Sequence, residues 1–279
     1  VHRIQSFLNT DLWTSTAGSF DRHYWGWKKN DFEDATLAYA AVPLEKGLNR
    51  LKENSVFDFM QGLVVDHLLR LQHPDGSFDQ SYPNELHPKV GLDVSSVFYS
   101  FLKQNAVSEV ETAYKKLLEF SLKKEEKYAL ICNHLSHHAY EYLLAYDVFG
   151  DRKYYEKAVS TLKLIENNTD PLEGWHKEYF GADPGYQTRT LRYLTKCLSF
   201  LENNDKEVCL NICIQSARFL QKTVLPDGTL YGAFGSRNTE LIYPSGIEFM
   251  ARQIPEEFGS LAYQIRNAVK GERTFLPMT

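Results

Sequence analysis

Leu71-Gln72-His73-Pro74-Asp75-Gly76-Ser77-Phe78 and Leu220-Gln221-Lys222-Thr223-Val224-Leu225-Pro226-Asp227-Gly228-Thr229-Leu230 carry one pattern twice, with the two aspartates 152 positions apart. Each stretch closes an apolar run of helical spacing with Pro-Asp-Gly, a small hydroxyl residue and an apolar one. Each then opens a loop rich in Tyr, Asn, Glu, Arg and Ser. A third loop, Glu173-Gly174-Trp175 to Tyr186, has the same character. An irregular repeat of helix pairs, with the unusual chemistry always on the same kind of connection, predicts a toroid of paired helices with one functional face.

Working outward, helical periodicity dominates from about residue 33 and β-type alternation is scarce. Helices are expected near 32–41, 55–72, 90–105, 108–122, 133–149, 151–167, 184–202, 205–223, 244–252 and 257–270. Gly150 fits a C′ position, Asp205 and Asp183 are candidate N-caps, and Pro88 and Pro184 fall near helix starts. Short links join 90–105 to 108–122, 133–149 to 151–167 and 184–202 to 205–223, which makes antiparallel hairpins. The other links are long: 73–89, 123–132, 168–183 and 224–243. The expected architecture is all-α, an (α/α) toroid or incomplete barrel of about five helical hairpins forming one domain over 1–279, with the long loops at one end.

The 279 residues carry a net charge of −5, with 24% charged, 43% hydrophobic and 14% aromatic residues. No basic stripe points to nucleic acid, and no run reaches the roughly 18–20 apolar residues of a membrane span. Cys132, Cys197, Cys209 and Cys213 show no zinc spacing. They read as buried hydrophobes, which weakly favours a reducing compartment, although the chain starts at Val1 and a leader removed earlier leaves localisation open. No cofactor and no metal is expected. The segment Glu109 to Lys127 reads as a solvated outer face. Helix 133–149 carries His134, His137, His138 and Glu141 on one stripe and is apolar elsewhere, which suits an inner helix facing a polar cavity.

Four segments hold the candidate chemistry. Cys132-Asn133-His134-Leu135-Ser136-His137-His138 opens a helix, whose N-terminus favours an anion. A neutral Asn or His there can hydrogen-bond a carboxylate and ease loss of its α-proton. The bland alternative makes Asn133 the N-cap and the histidines packing residues. Glu173 to Arg189, with Trp175, Glu178, Asp183, Tyr186 and Arg189, reads as a shaped loop leading into a helix. Tyr186 and Arg189 share a face, and a cation lowers a phenol's pKa, which suits an acid or base. Alternatively Tyr186 packs and Arg189 pairs with an acid. Tyr231 to Glu240 holds Arg237, Asn238 and Glu240, a set suited to bidentate carboxylate capture or to tying down a loop. In Gln72 to Glu85, Asp75 reads as structural, like Asp227, while Tyr82, Asn84 and Glu85 are candidates to reach the substrate. The aromatic and polar run His23 to Asp34 is too generic to assign.

Together, Pro-Asp-Gly-Ser-Phe…Tyr-Pro-Asn-Glu (74–85), Asn-His with its helix and Gly-Asp (133–151), Glu-Tyr-Phe-Gly-Ala-Asp-Pro-Gly-Tyr-Gln (178–187) and Gly-Ser-Arg-Asn-Thr-Glu…Tyr-Pro (235–244) resemble the helical toroid of heparinase II/III-like proteins. More broadly the chain is similar to the chondroitin AC/alginate lyase superfamily. The resemblance implies a polysaccharide or oligosaccharide substrate containing uronic acid, removal of the C5 proton, and expulsion of the C4 oxygen. It also implies that Asn133 holds the substrate carboxylate, His134 assists, Tyr186 is the base or acid, and Arg189 or Arg237 steadies charge. His138, Trp175, Glu178 and Asp183 join the expected substrate-binding set. Family lyases also carry a β-sheet domain after the toroid, and no strand-rich segment follows here.

Other classes stay open. A C5 epimerase shares the proton abstraction. A glycoside hydrolase on the same toroid would use two carboxylates, with Asp183, Glu178 and Glu240 as candidates. The Gln-x-x-Asp-Gly-Ser-Phe stretch at 72–78 also resembles the repeat of squalene-cyclase and prenyltransferase toroids, although Asp31-Phe32-Glu33-Asp34 departs from the cyclase acid motif. A non-catalytic glycan-binding protein of polysaccharide biosynthesis is the fourth. If the lyase or epimerase reading holds, Asn133, His134, Tyr186, Arg189 and Arg237 converge on one cleft.

Overall fold

The computed structural model describes residues 2–20, 35–51, 54–79, 88–123, 131–179, 181–231 and 242–271. Among these the regular structure is helical, with only isolated β-bridges. The residues gather into two compact units, one running to Glu125 and the other beginning at Glu126.

In the first unit, α1 (His2–Gln5) precedes a 3-10 turn at Ala35–Ala40, then α2 (Ala41–Leu51), α3 (Asn54–Leu71), α4 (Pro88–Leu102) and α5 (Ser108–Lys123). α2 packs on α3, and α4 packs on α5. The expected helix at 32–41 is a 3-10 turn where it is described, and α2 was not anticipated. Its signal is short: Leu44 and Leu48, four apart, are both buried. Pro43 lies in its first turn, where a missing N–H costs nothing. α5 buries Val110, Ala113, Tyr114, Leu117 and Leu118 on one stripe and leaves Glu111 and Lys115 to pair outside it. Tyr114 also accepts a 2.6 Å bond from the Ser95 hydroxyl, fixing α4 to α5 in the core.

The second unit comprises α6 (Cys132–Phe149), α7 (Arg152–Asn167), α8 (Pro184–Cys197), α9 (Asn203–Thr223), α10 (Pro244–Gln253) and α11 (Pro255–Lys270). α6–α7, α8–α9 and α10–α11 are hairpins, and α8 also packs on α6 and α10. Gly150, in the left-handed region at φ 68°, ends α6 and donates to the Tyr146 carbonyl, as its C′ assignment predicts. The link between α8 and α9 differs from expectation. α8 stops at Cys197, and Glu202, not Asp205, is the N-cap of α9, with no side-chain cap bond. The reason is tertiary: the Tyr155 hydroxyl accepts from the Glu202 amide and donates to the Asp205 carboxylate at 2.8 Å. A ring on α7 therefore uses the aspartate that the sequence offered to the helix. The four cysteines are buried and free. No helix among the described residues is long and apolar enough to cross a membrane.

The repeated sequence is a repeated structure. In both Pro-Asp-Gly turns the aspartate accepts from the amide and the hydroxyl of the residue two ahead, Ser77 in one and Thr229 in the other. The turn closes through His73 N–H to Ser77 O in one and Leu225 N–H to Thr229 O in the other. Gly76 (φ +91°) and Gly228 (φ +85°) lie against the backbone of the following hairpin's second helix. A Cβ would fall 2.3 Å from Lys116 O in the first and 2.1 Å from Gln264 O in the second. Glycine satisfies both the conformation and the close approach.

Candidate functional site at the starts of α6 and α8

The connection 168–183 brings two helix starts together. Thr169 and His176 form an isolated bridge, and Asp170 N–H donates to Trp175 O. Gly174 (φ +78°) approaches the Gln215 carbonyl of α9 as the other two glycines approach their helices. Gln187, in the first turn of α8, fastens the loop from within. It accepts from the His176 amide at 2.9 Å and donates to Gly174 O and to the Ser216 hydroxyl, both at 3.0 Å. His176 is fully buried with its Nδ1 2.9 Å from Thr169 Oγ1, and burial pushes its pKa down to about 3, so the ring is neutral.

α6 begins at Cys132 after Ile131, whose side chain supplies no cap. The cap comes from 45 residues away. Glu178 Oε1 accepts from the Asn133 amide at 2.7 Å, and Glu178 Oε2 accepts from Asn133 Nδ2 at 2.6 Å. Cys132 N–H donates to Lys177 O beside it. Asn133 is therefore not the N-cap, and its side-chain NH2 is engaged by a buried carboxylate. Its Oδ1 has no hydrogen-bond partner among the described residues. α8 is capped by its own neighbour: Asp183 Oδ1 accepts from the Tyr186 amide at 3.0 Å, with Pro184 in the first turn. Tyr243 N–H, just before α10, donates to Thr188 Oγ1, so α10 also starts level with the first turns of α8.

Between the two caps, the Glu178 amide donates to Gly181 O and the Gly181 amide donates back to Glu178 O. This tight reversal puts Tyr179 at φ 54°, a conformation that a bulky residue rarely adopts, with 42% of its surface exposed. Strain of about 1–3 kcal/mol at such a residue is typically held where geometry matters.

Burial pushes the Glu178 carboxyl up to about 7 against the two Asn133 hydrogen bonds. Asp183 raises it further, and Arg189 lowers it. The helix N-terminus favours the anion, and desolvation wins over it. Cys132 is pushed up to about 12 by burial and by the Glu178 charge, so it is no nucleophile at neutral pH.

Of the sequence candidates, Asn133 reaches Glu178 by hydrogen bonds, and Asp183 and Arg189 act on it electrostatically. Tyr186 and Arg189, three apart on α8, are half-exposed, as are His134, His138 and Trp175. The wet stripe expected on α6 is narrower than the sequence suggested: His137 and Glu141 are fully buried. His137 stacks on Tyr193 with centroids 4.0 Å apart, because α8 covers that side of α6. Tyr82, Asn84, Glu85, Arg237, Asn238 and Glu240 lie outside the described residues. Among the described residues no group of three or more His, Cys, Asp or Glu is placed to hold a metal ion. The sequence reading missed Gln187 as the loop's anchor and Arg192, Tyr193 and Lys196 on α8. A period-3.6 reading of α8 beyond Arg189 would have found the last three.

No protein-family model and no curated protein sequence matches the chain. Solved structures do match in fold. A glycosyl hydrolase family 88 protein from Bacteroides vulgatus aligns with TM-score 0.67 at 11% identity, over 85% of this chain and 77% of its own. A polysaccharide lyase aligns with TM-score 0.66 at 11% identity, over 85% and 76%. Cellobiose 2-epimerase from Bacillus thermoamylovorans aligns with TM-score 0.67 at 13% identity, over 85% and 74%. At such identities the likeness is one of fold, and the chain has the all-α, α/α-toroid class of fold that its repeated turns and hairpin rhythm predict.

Proposed function

We propose that this chain is a carbohydrate-active enzyme that acts on a uronic-acid-containing polysaccharide or oligosaccharide by abstracting the proton on C5. The observation that carries this reading is the buried Glu178–Asn133 pair on the N-terminus of α6, beside the turn of α8 that bears Tyr186 and Arg189. The names of the fold neighbours, a lyase, an epimerase and a hydrolase, support sugar chemistry in general.

The C5 proton of a uronate is hard to remove because the resulting charge spreads onto a carboxylate that is already negative. Donors aimed at that carboxylate lower the barrier. Glu178, titrating near neutrality, is neutral for part of the time and then offers an O–H as well as an acceptor. Tyr186 takes the C5 proton, and Arg189 stabilises the enolate. In elimination, the C5–H pair becomes the C4–C5 double bond, the C4–O bond breaks, and the departing oxygen takes the proton that Tyr186 accepted, which returns Tyr186 to its starting state. In epimerisation, C5 is reprotonated on its opposite face. His134, His138 and Trp175 contact the sugar.

One observation favours a second reading. Glu178 and Asp183 are two buried carboxylates, one of them raised to about 7, which also suits the general acid of a glycoside hydrolase.

One experiment separates these. The protein is incubated with a panel of uronic-acid polymers, and near-ultraviolet absorbance, reducing ends and solvent deuterium at C5 are followed. An absorbance rise lost in Tyr186→Phe supports elimination. Deuterium without cleavage supports epimerisation. Reducing ends without absorbance, lost in Glu178→Gln, replace the proposal with hydrolysis.

A further inference from the structure

The face of α8 turned away from α9 carries three cations in a row. The side that meets α9 is marked by Gln187, bonded to Ser216, and by Leu194, whose carbonyl accepts from Cys209 Sγ. At 100° per residue, Arg189, Arg192 and Lys196 lie on the opposite side, with Tyr193 among them. All three cations are half-exposed. Each sits over aromatic rings. Arg189 Cζ lies 6.0 Å from the Tyr193 and Tyr243 centroids, and Arg192 Cζ lies 5.6 Å from the same two. Lys196 Nζ lies 4.9 Å from Tyr140 and 5.2 Å from Tyr193. Tyr140 comes from α6 and Tyr243 from the residue before α10, so three elements build one strip. Tyr193 is itself buried and backed by His137.

We infer that this strip binds a second acidic group of the substrate, further along α8 than the junction at Glu178. The inference rests on the sugar-acid reading above for what reaches the strip. Its reasons are local. Cations held over rings from neighbouring helices have given up part of their side-chain freedom in advance, which makes them a pre-organised receptor. Two guanidiniums and an ammonium suit the oxygens of a carboxylate or sulfate. The strip begins at Arg189, which acts electrostatically on Glu178, and runs about 10 Å to Lys196. A substrate satisfying both ends carries acidic groups on successive sugars, not on a single terminal one.

Calorimetry on the full chain tests this with three probes: a tetrasaccharide of uronic acids, a sulfated dextran fragment of similar length, and cellotetraose as the neutral one. At least one acidic probe binds, and its affinity falls with added salt. Arg192→Gln and Lys196→Gln each weaken it about tenfold and flatten the salt slope, while Arg192→Lys, which keeps the charge but not the fork, keeps the salt slope and weakens it less. The carboxylate and sulfate arms identify which group the strip prefers. The inference is overturned if neither acidic probe binds, if cellotetraose binds as well as they do, or if both Gln variants leave affinity and salt slope unchanged while melting like wild type. Failure of the reaction reads differently. Tyr186→Phe keeps acidic binding whatever the chemistry, and binding without turnover in the wild type sinks the proposed reaction but leaves the strip standing.

Discussion

Asp75 and Glu178 are carboxylates with matching hydrogen bonds and opposite fates. Asp75 accepts from the amide and the hydroxyl of Ser77, and Glu178 accepts from the amide and the side-chain nitrogen of Asn133. The Ser77 hydrogen bonds hold the exposed Asp75 below the usual carboxylate range, whereas burial pushes Glu178 up to about 7. Burial, not the number of donors, decides the sign. The two loops around them share a glycine turned against a helix carbonyl, so the fold itself needs no more than that device. The 168–183 connection adds a desolvated acid, a left-handed Tyr179 and two helix caps. The caps stabilise the helix starts, whereas the desolvated acid and the left-handed Tyr179 raise the free energy of the folded state without improving the turn, a cost the other loop does not carry.

The largest effect expected is common to both loops. Gly76→Ala and Gly174→Ala each place a Cβ within 2.5 Å of a carbonyl oxygen while keeping a positive φ. Each is expected to lower stability by about 3 kcal/mol or more, read as a shift in the urea midpoint. Equal losses would show that the glycine device is shared. A tolerated Gly174→Ala would break the comparison.

Glu178→Gln separates the loops. Because its folded pKa of about 7 lies above the ordinary 4.5, the folded protein keeps a proton that the unfolded chain has lost. The stability contribution is full below pH 4.5, falls as pH rises through about 7, and is level above that. The wild type is expected to lose up to about 3 kcal/mol across that window relative to Glu178→Gln. The variant is also expected to lose about a hundredfold or more in activity, along with any limb near pH 7 in its rate profile. Matched denaturation curves for the two proteins at several pH values measure the first, and a pH–rate profile measures the second.

Asn133→Ala removes one of the donors that hold Glu178 down, so that carboxyl is expected to titrate at still higher pH. About 1–2 kcal/mol of stability goes with the lost bond. An unmoved pH profile would show that Asn133 acts only as packing. The smallest effect belongs to the other loop. Asp75→Asn should leave activity unchanged and cost less than about 1 kcal/mol, with any loss appearing only above the acid range, because a lowered carboxylate contributes most when ionised.

How much of this was legible before the chain was folded varies from residue to residue. The Pro-Asp-Gly repeat and the Gly150 stop were local patterns, and the structure realises them at those positions. Asp183 as the cap of α8 was legible for the same reason: cap and helix are adjacent in sequence. Asp205 failed as a cap because Tyr155, 50 residues away, takes its carboxylate. The expected α6 stripe lost His137 and Glu141 to burial because α8 lies against that side of the helix. Glu178 was visible as a polar loop residue, but nothing in its neighbourhood announced a contact with Asn133.

By itself the sequence determined the helical class, the hairpin rhythm, the repeated turns and the Asp183 cap of α8, because periodicity, glycine, proline and caps act over a few residues. Only the tertiary structure decided which carboxylate is desolvated, which histidines are wet, and that Arg189, Arg192 and Lys196 share a strip with tyrosines from α6 and the start of α10. Desolvation and ring stacking depend on what lies opposite, and what lies opposite comes from distant parts of the chain.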